Sequence, residues 1–186
     1  MRAKAGPTVK FLLYALGFSA ISCAIYFLPD YGFLKAATAE HSALVLSALG
    51  MEAKAFVSGG RAFVNQFEIA KECTGIQVVA VFSGFILPLP RVPFKVKAKA
   101  IALVSLAVYV GNVLRIVVEV WMLYNGVLPW SQAHGPLGTV LSIFSVFIFF
   151  LMAERCIPQI GRYLDEALAY LLKRISFIGR GSREGN

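Results

Sequence analysis

The chain has 186 residues, 58% of them hydrophobic and only 15% charged, with a formal net charge of +8. That balance excludes a disordered chain and is too apolar for an ordinary soluble domain, and runs as long as a bilayer is thick mark an integral membrane protein. The surplus of Lys and Arg lies in short segments between apolar runs, as topology signals do, which argues against nucleic acid as a partner. Cys23, Cys73 and Cys156 are far apart and at different expected depths, so no disulfide is expected. No Cys-x-x-Cys pair, His-Glu-x-x-His or phosphate loop occurs, and neither a metal nor a cofactor is expected.

In chain order, a basic start (Arg2, Lys4, Lys10) precedes an apolar run from Val9 to Leu28, roughly the 20 residues a bilayer needs. A signal peptide has the same layout, but the run is long for one and no small-x-small site follows before Pro29-Asp30. It is expected to be the first transmembrane helix, entering from the cytoplasm. Phe33 to Gly50 is apolar but carries Lys35, Glu40, His41 and Ser42. If it spanned, the basic stretch from Arg91 to Lys99 would face outward, so the segment is expected to lie in the outer interface.

Phe56 to Phe67 reads as two short strands about a Gly59-Gly60 turn, a small extracytoplasmic hairpin. Thr74 to Pro90 is the second expected span, followed by the basic loop on the cytoplasmic side. Ala100 to Tyr124 is the third, with Trp121 and Tyr124 as interface anchors near its outer end. Asn125 to Gly135 forms an outer loop, and Pro136 to Met152 returns as the fourth span. From Glu154 onward, Ile157, Ile160, Leu164, Leu168 and Leu171 recur at helical spacing beside Arg162, Lys173 and Arg174, the pattern of an amphipathic helix on a membrane surface. The expected fold class is therefore an all-α polytopic membrane protein. It has about four transmembrane helices, an interfacial helix, a small extracytoplasmic hairpin before the Cys-bearing helix, and a C-terminal amphipathic helix. The expected organisation is a single membrane domain over 1–186, with a transmembrane core at 1–153 and a cytoplasmic tail at 154–186.

This topology brings three chemistry-bearing side chains to one depth. Cys73 stands at the outer mouth of the second span and His134 in the outer loop. Arg115 lies six positions before Trp121, about 9 Å below the aromatic belt at 1.5 Å per residue, within reach of an extended guanidinium. A helix N-terminus lowers a thiol pKa, an imidazole takes and returns a proton, and a guanidinium stabilises an oxyanion while staying charged in an apolar site. Glu72 opposes thiolate formation. Arg115, a charge within a span, is functional by default. Its structural alternative is an ion pair with Glu119, four residues on. Asn112, one turn earlier, is placed to hold the guanidinium from the other side. Cys23 reads as a small apolar side chain, His41 as a solvated histidine, and Phe144, Phe147, Phe149 and Phe150 as lipid-facing or packing residues.

The segments Glu72-Cys73-Thr74-Gly75-Ile76, Asn112-Val113-Leu114-Arg115-Ile116 and Ala133-His134, in this order and sidedness, resemble the exosortase/archaeosortase family of membrane sorting enzymes. The resemblance runs from about residue 50 to residue 153. The Cys-Thr-Gly-Ile-Gln wording is similar to the archaeal branch, whereas His at the third position is the exosortase-like choice. The chain is short for the family, which often carries more spans before the Cys. The resemblance implies Cys73 as nucleophile with Arg115 and His134 as its partners; the expected roles are oxyanion stabiliser for Arg115 and general acid/base for His134, with Asn112, Glu119, Thr74 and Gln77 as supporting residues. It also implies substrates: secreted proteins with a C-terminal recognition motif, a transmembrane helix and a basic cluster. These would be cut on the extracytoplasmic face of the cell membrane and passed through a thioester to an acceptor amine or lipid. A non-enzymatic scaffold or small transporter subunit, with Arg115–Glu119 purely structural, is the reading from another class. A thiol redox protein would need a second nearby Cys.

Overall fold

The computed structural model describes residues 7–162 and residue 169, with only the backbone of Pro7, Thr8, Trp130 and Ala133. Most of the expected amphipathic tail, including Leu164, Leu168, Leu171, Lys173 and Arg174, lies outside the described residues. The elements run α1 (Pro7–Phe27), α2 (Gly32–Ala48), β1 (Ala55–Ser58), β2 (Arg61–Val64), β3 (Phe67–Ile69), a 3-10 turn (Lys71–Thr74), α3 (Ile76–Ile86) and α4 (Phe94–Tyr124). A short α5 (Trp130–Gln132), a π-helical turn (Ala133–Leu137) and α6 (Gly138–Cys156) follow. The chain is a helical membrane protein with a small sheet, and among the described residues three helices are long and apolar enough to cross a bilayer: Val9–Phe27, Phe94–Tyr124 and His134–Cys156.

The second expected span differs from its forecast. Only 11 of its residues, Ile76–Ile86, form a helix, about 16 Å at 1.5 Å per residue and so near half the hydrocarbon thickness. Its start is displaced by the 3-10 turn, and Pro88 and Pro90 end it. The basic loop is also shorter than expected: α4 begins at Phe94, directly after Pro93, and so takes Lys95, Lys97 and Lys99 into its first turns. Pro before a helix supplies the extended entrance and Lys97 Nζ donates to the Leu87 carbonyl (2.6 Å), tying the end of α3 to the start of α4.

The expected two-stranded hairpin is a three-stranded antiparallel sheet in the order β1-β2-β3. Gly59 and Gly60 both have positive φ, as the tight turn requires. The third strand arises because Asn65 (φ 52°) turns the chain after Val64, so that Phe67 pairs back onto Val64. Asn65 fixes this turn by accepting from the Lys54 N–H (2.8 Å) and donating to the Glu52 carbonyl (3.0 Å). The missed signal is a left-handed Asn where one longer strand seemed continuous.

Packing is organised by the two halves of α4. Its first half buries Ala100, Val104 and Val108 against Phe82 and Ile86 of α3, Phe149 and Ala153 of α6, and Ile157 and Ile160 beyond them. Its second half buries Val113, Ile116, Val117 and Val120 against the inner face of the sheet (Ala62, Val64, Ile69) and a small-residue face of α2 (Ala39, Ala43, Leu46). His41, expected to be solvated, sits on α2 with Nδ1 2.6 Å from the Tyr109 hydroxyl. Phe149 is a core residue, while Phe144 and Phe147 are exposed on the surface of α6.

Helix α1 runs antiparallel to α3 and is held along its length. Tyr14 donates to the Phe85 carbonyl (2.7 Å) and Ser22 to the Ala80 carbonyl (3.2 Å). At the far end Lys71 donates to the Tyr26 carbonyl, and its ammonium lies 4.1 Å from the Tyr26 ring centre and 5.3 Å from that of Tyr31. Gly84 is the closest approach of the two helices: a Cβ there would lie 2.7 Å from the Phe18 carbonyl oxygen and against Ser22. Gly84→Ala is expected to lower stability by about 1–3 kcal/mol, since backbone has to move. Gly17→Ala, whose Cβ would meet Pro88 at an ordinary 3.4 Å, is expected to change it little. Thermal unfolding in detergent, followed by circular dichroism, checks the pair.

Candidate active site

The 3-10 turn places Cys73. Thr74, buried beneath it, donates through Oγ1 to the Lys71 carbonyl (2.7 Å) and accepts from the Ile76 N–H (3.4 Å), closing the turn onto the start of α3. Gly75 between them has φ 75°, a left-handed backbone that L side chains adopt at a cost of about 1–2 kcal/mol. A Cβ at Gly75 would also lie 2.8 Å from Val108 Cγ1. Gly is thus required twice, by conformation and by the closeness of α4. The same closeness lets the Asn112 amide donate to the Cys73 carbonyl. Asn112, expected to brace Arg115, braces the Cys73 backbone instead, because Gly75 brings that carbonyl against its turn of α4.

Arg115 belongs to a row on α4 that begins in the core. Ala100, Val104 and Val108 recur every four residues on the face packed against α3 and α6, and the row continues as Asn112, Arg115 and Glu119. One helix face is therefore apolar over its first half and polar over its second. Arg115 Nη1 lies 3.3 Å from Glu119 Oε1, with the two side chains only 16% and 3% exposed. Arg115 Nε is buried with no hydrogen-bond partner among the described residues.

His134 stands in the π-helical turn that opens α6, where a simple outer loop was expected. Pro136 explains the wide turn: it lacks an N–H and its ring excludes the regular i−4 bond. The His134 Nδ1 is 3.0 Å from Glu119 Oε2, so one carboxylate touches both Arg115 and His134. This link was not foreseen. Its trace in the sequence was the helical row Asn112, Arg115, Glu119, which points the acid at whatever caps that end of the bundle.

Cys73, Arg115 and His134 line one cavity of about 170 Å³, together with Glu72, Gly75, Gln77, Asn112, Ser142 and Ser145. Gln77 reaches it from the first turn of α3; Ser142 and Ser145 form the α6 wall and were not singled out from the sequence. Their signal was two hydroxyls at i, i+3 in an otherwise apolar helix, in register with Phe149 and Ala153 of the core face. A second, apolar groove lies between α1, α3 and α6, lined by Phe18, Val81, Phe82, Phe85, Phe147 and Phe150, among others, and meets the cavity at Val146.

The thiol is not acidified in the way expected. Cys73 precedes the left-handed Gly75 and so sits off the α3 N-terminus, in the turn before the helix. Burial pushes its pKa up, a backbone hydrogen bond at Ala70 and the nearby Arg115 charge pull it down, and Glu119 and Glu72 push it up again. Glu72 itself turns toward α1, where it accepts from the Tyr26 hydroxyl (3.0 Å).

The fold and cavity define a class: a polytopic helical membrane protein with a thiol, an imidazole and a guanidinium gathered where its helices meet. The family described as transmembrane exosortase (Exosortase_EpsH) matches residues 4–152, and the chain belongs to it. No curated protein and no solved structure matches. Membership supports a sorting-related transpeptidase in general, of the cysteine type.

In a Cys23→Ser, Cys156→Ser background, the pH profile of Cys73 alkylation by iodoacetamide reads the thiol directly. A raised pKa means less thiolate at any given pH. The alkaline limb is therefore expected to lie above that of a free cysteine, with rates followed by mass spectrometry; a limb at or below that range contradicts the dominance of burial.

Proposed function

We propose that this chain is a membrane cysteine transpeptidase that cleaves the C-terminal sorting signal of secreted proteins and transfers the new C-terminus to an acceptor amine or lipid. The observation that carries this reading is the single cavity bordered by Cys73, Arg115 and His134. The proton of the Cys73 thiol passes to the imidazole, and the sulfur attacks the scissile carbonyl. The oxyanion that forms is met by Arg115, whose buried Nε–H lacks a partner among the described residues. Collapse breaks the C–N bond, the imidazolium returns its proton to the leaving amine, and a thioester remains on Cys73. The acceptor nucleophile then loses its proton to the imidazole, attacks the thioester and releases the thiolate, which is reprotonated.

A cavity of about 170 Å³ admits a peptide bond and its near neighbours, not a helix. The apolar groove that meets it at Val146 suits the transmembrane helix of a substrate, laid against α1, α3 and α6. Lys95, Lys97 and Lys99 stand at the end of α4 opposite Glu119. By the positive-inside rule these lysines favour a cytoplasmic location for that end, which supports the reading that the cavity faces the extracytoplasmic side of the cell membrane. In this reading residues 1–153 form the catalytic core of a single membrane domain, with a cytoplasmic tail after it. Thr74 and Asn112 support the nucleophile's turn.

The test is processing of a co-expressed reporter that carries a motif, a transmembrane helix and a basic cluster at its C-terminus. Cys73→Ala and Cys73→Ser are expected to abolish cleavage while the protein stays membrane-inserted; normal cleavage by either refutes the nucleophile. Arg115→Lys is expected to lose about 10²–10³-fold in turnover, because a point charge replaces a planar fork at the oxyanion. Acid quenching of the wild-type enzyme during turnover is expected to leave a peptide linked to Cys73, identified by mass spectrometry, and its release by hydroxylamine marks the thioester.

A further inference from the structure

The structure assigns Glu119 as a positioning residue for His134, in addition to its ion pair with Arg115; this rests on the proposed thiol–imidazole chemistry. The carboxylate bridges the Arg115 guanidinium and the His134 imidazole, with Oε1 3.3 Å from Arg115 Nη1 and Oε2 3.0 Å from His134 Nδ1. A carboxylate can only accept, so the imidazole must donate from Nδ1. That choice of tautomer makes Nε2 the nitrogen that exchanges a proton with Cys73. The bond also restrains the ring. The His134 side chain is 44% exposed and stands on a π-helical turn, whereas the Glu119 side chain is 3% exposed and rooted in the middle of the packed half of α4. An exposed base is thereby tied to a buried side chain on a packed helix.

Glu119 therefore does two jobs with two oxygens. It neutralises Arg115 in an apolar helix and selects the working nitrogen of His134. Among the described residues, the titratable or charged groups that line the cavity with His134 are Glu72 and Cys73 from the 3-10 turn and Arg115 from α4, and Glu119 contacts the ring from α4; the α6 wall contributes Ser142 and Ser145, which do not titrate. Glu72 is engaged with Tyr26, whereas the Glu119 carboxylate is at hydrogen-bond distance from the ring.

The experiment needs no substrate. Alkylation of Cys73 by iodoacetamide forms the Sγ–C bond and expels iodide. A proton passed from Sγ to Nε2 gives this reaction a limb near neutral pH, below the alkaline limb of the unassisted thiol. In the background lacking Cys23 and Cys156, rates are measured from pH 5 to 10, about the range in which imidazole and thiol titrate, for wild type, His134→Ala, Glu119→Gln, Glu119→Asp and the His134→Ala/Glu119→Gln double variant. His134→Ala and Glu119→Gln are each expected to slow the neutral limb about 10–100-fold, a general-base effect. The double variant is expected to be no slower than His134→Ala, because Glu119 acts through the ring. Glu119→Asp keeps the charge against Arg115 but is one methylene shorter. It guards against misfolding of the Gln variant, and is expected to fold, by size exclusion in detergent, and to lose part of the neutral limb.

A neutral limb at the wild-type rate in Glu119→Gln or Glu119→Asp overturns the positioning role. So does an equal slowing by Glu119→Gln with and without His134. Either result leaves the thiol–imidazole reading standing. A wild-type neutral limb in His134→Ala instead removes the base itself, and the inference with it.

Discussion

A guanidinium in an apolar helix has to be matched at its own depth, since leaving such a charge unpaired costs several kcal/mol. In this protein the match is Glu119, one turn further along α4, with both side chains almost wholly buried. Around that pair the rest of the site is arranged. His134 closes over the second carboxylate oxygen, Cys73 comes up beside the guanidinium, and the cavity forms between them. The ion pair thus serves as the fixed point from which the other two reactive groups take their positions, and the electrostatic cost of charge in the helix becomes the means of ordering it.

Each reactive side chain is carried by a different element, and α4 is common to all of them. Its face first packs a hydrophobic core of α3 and α6 and then, without a change of direction, presents Asn112, Arg115 and Glu119. Gly75 permits the Cys73 turn to lie directly on this helix, and the Asn112 amide holds the turn's carbonyl. The result is a thiol fixed through its backbone while its own pKa is pushed upward by burial. A thiol so placed has to be deprotonated by a neighbour in the act of attack, which gives the nearby imidazole its purpose in the proposed chemistry.

Much of this was legible in the sequence, and the parts that were not have identifiable reasons. Hydropathy found the long helices because backbone groups in a bilayer must be satisfied within the helix, so their apolar runs are uninterrupted. The Gly59-Gly60 turn was readable because two adjacent positive φ values call for glycine. Convergence of Cys73, Arg115 and His134 followed from depth alone, without knowledge of packing. Depth says nothing of azimuth, however. The role of Asn112, the link from Glu119 to His134 and the serine wall of α6 depend on which way each helix is turned, and only the packed structure supplies that. The third strand was missed for a local reason: Asn65 turns the chain left-handed inside a segment whose composition is continuous; α3 is short because Gly75 delays its start and Pro88 and Pro90 end it. The outer loop expected up to Gly135 likewise ends in a wide helical turn over Ala133–Leu137, because the turn's distinctive residue, Pro136, falls just after it.

None of the described α1 side chains lines the cavity, yet the helix is fastened to the turn that carries Cys73. Lys71 and Glu72, the two residues before Cys73, are both held there, Lys71 by the carbonyl and ring of Tyr26 at the end of α1 and by the ring of Tyr31 just beyond it, Glu72 by the Tyr26 hydroxyl. The apolar groove has α1 as one of its banks, through Phe18. The bank of the groove and the residues next to the sulfur are thus held by one helix, with Glu72 only one peptide unit from Cys73.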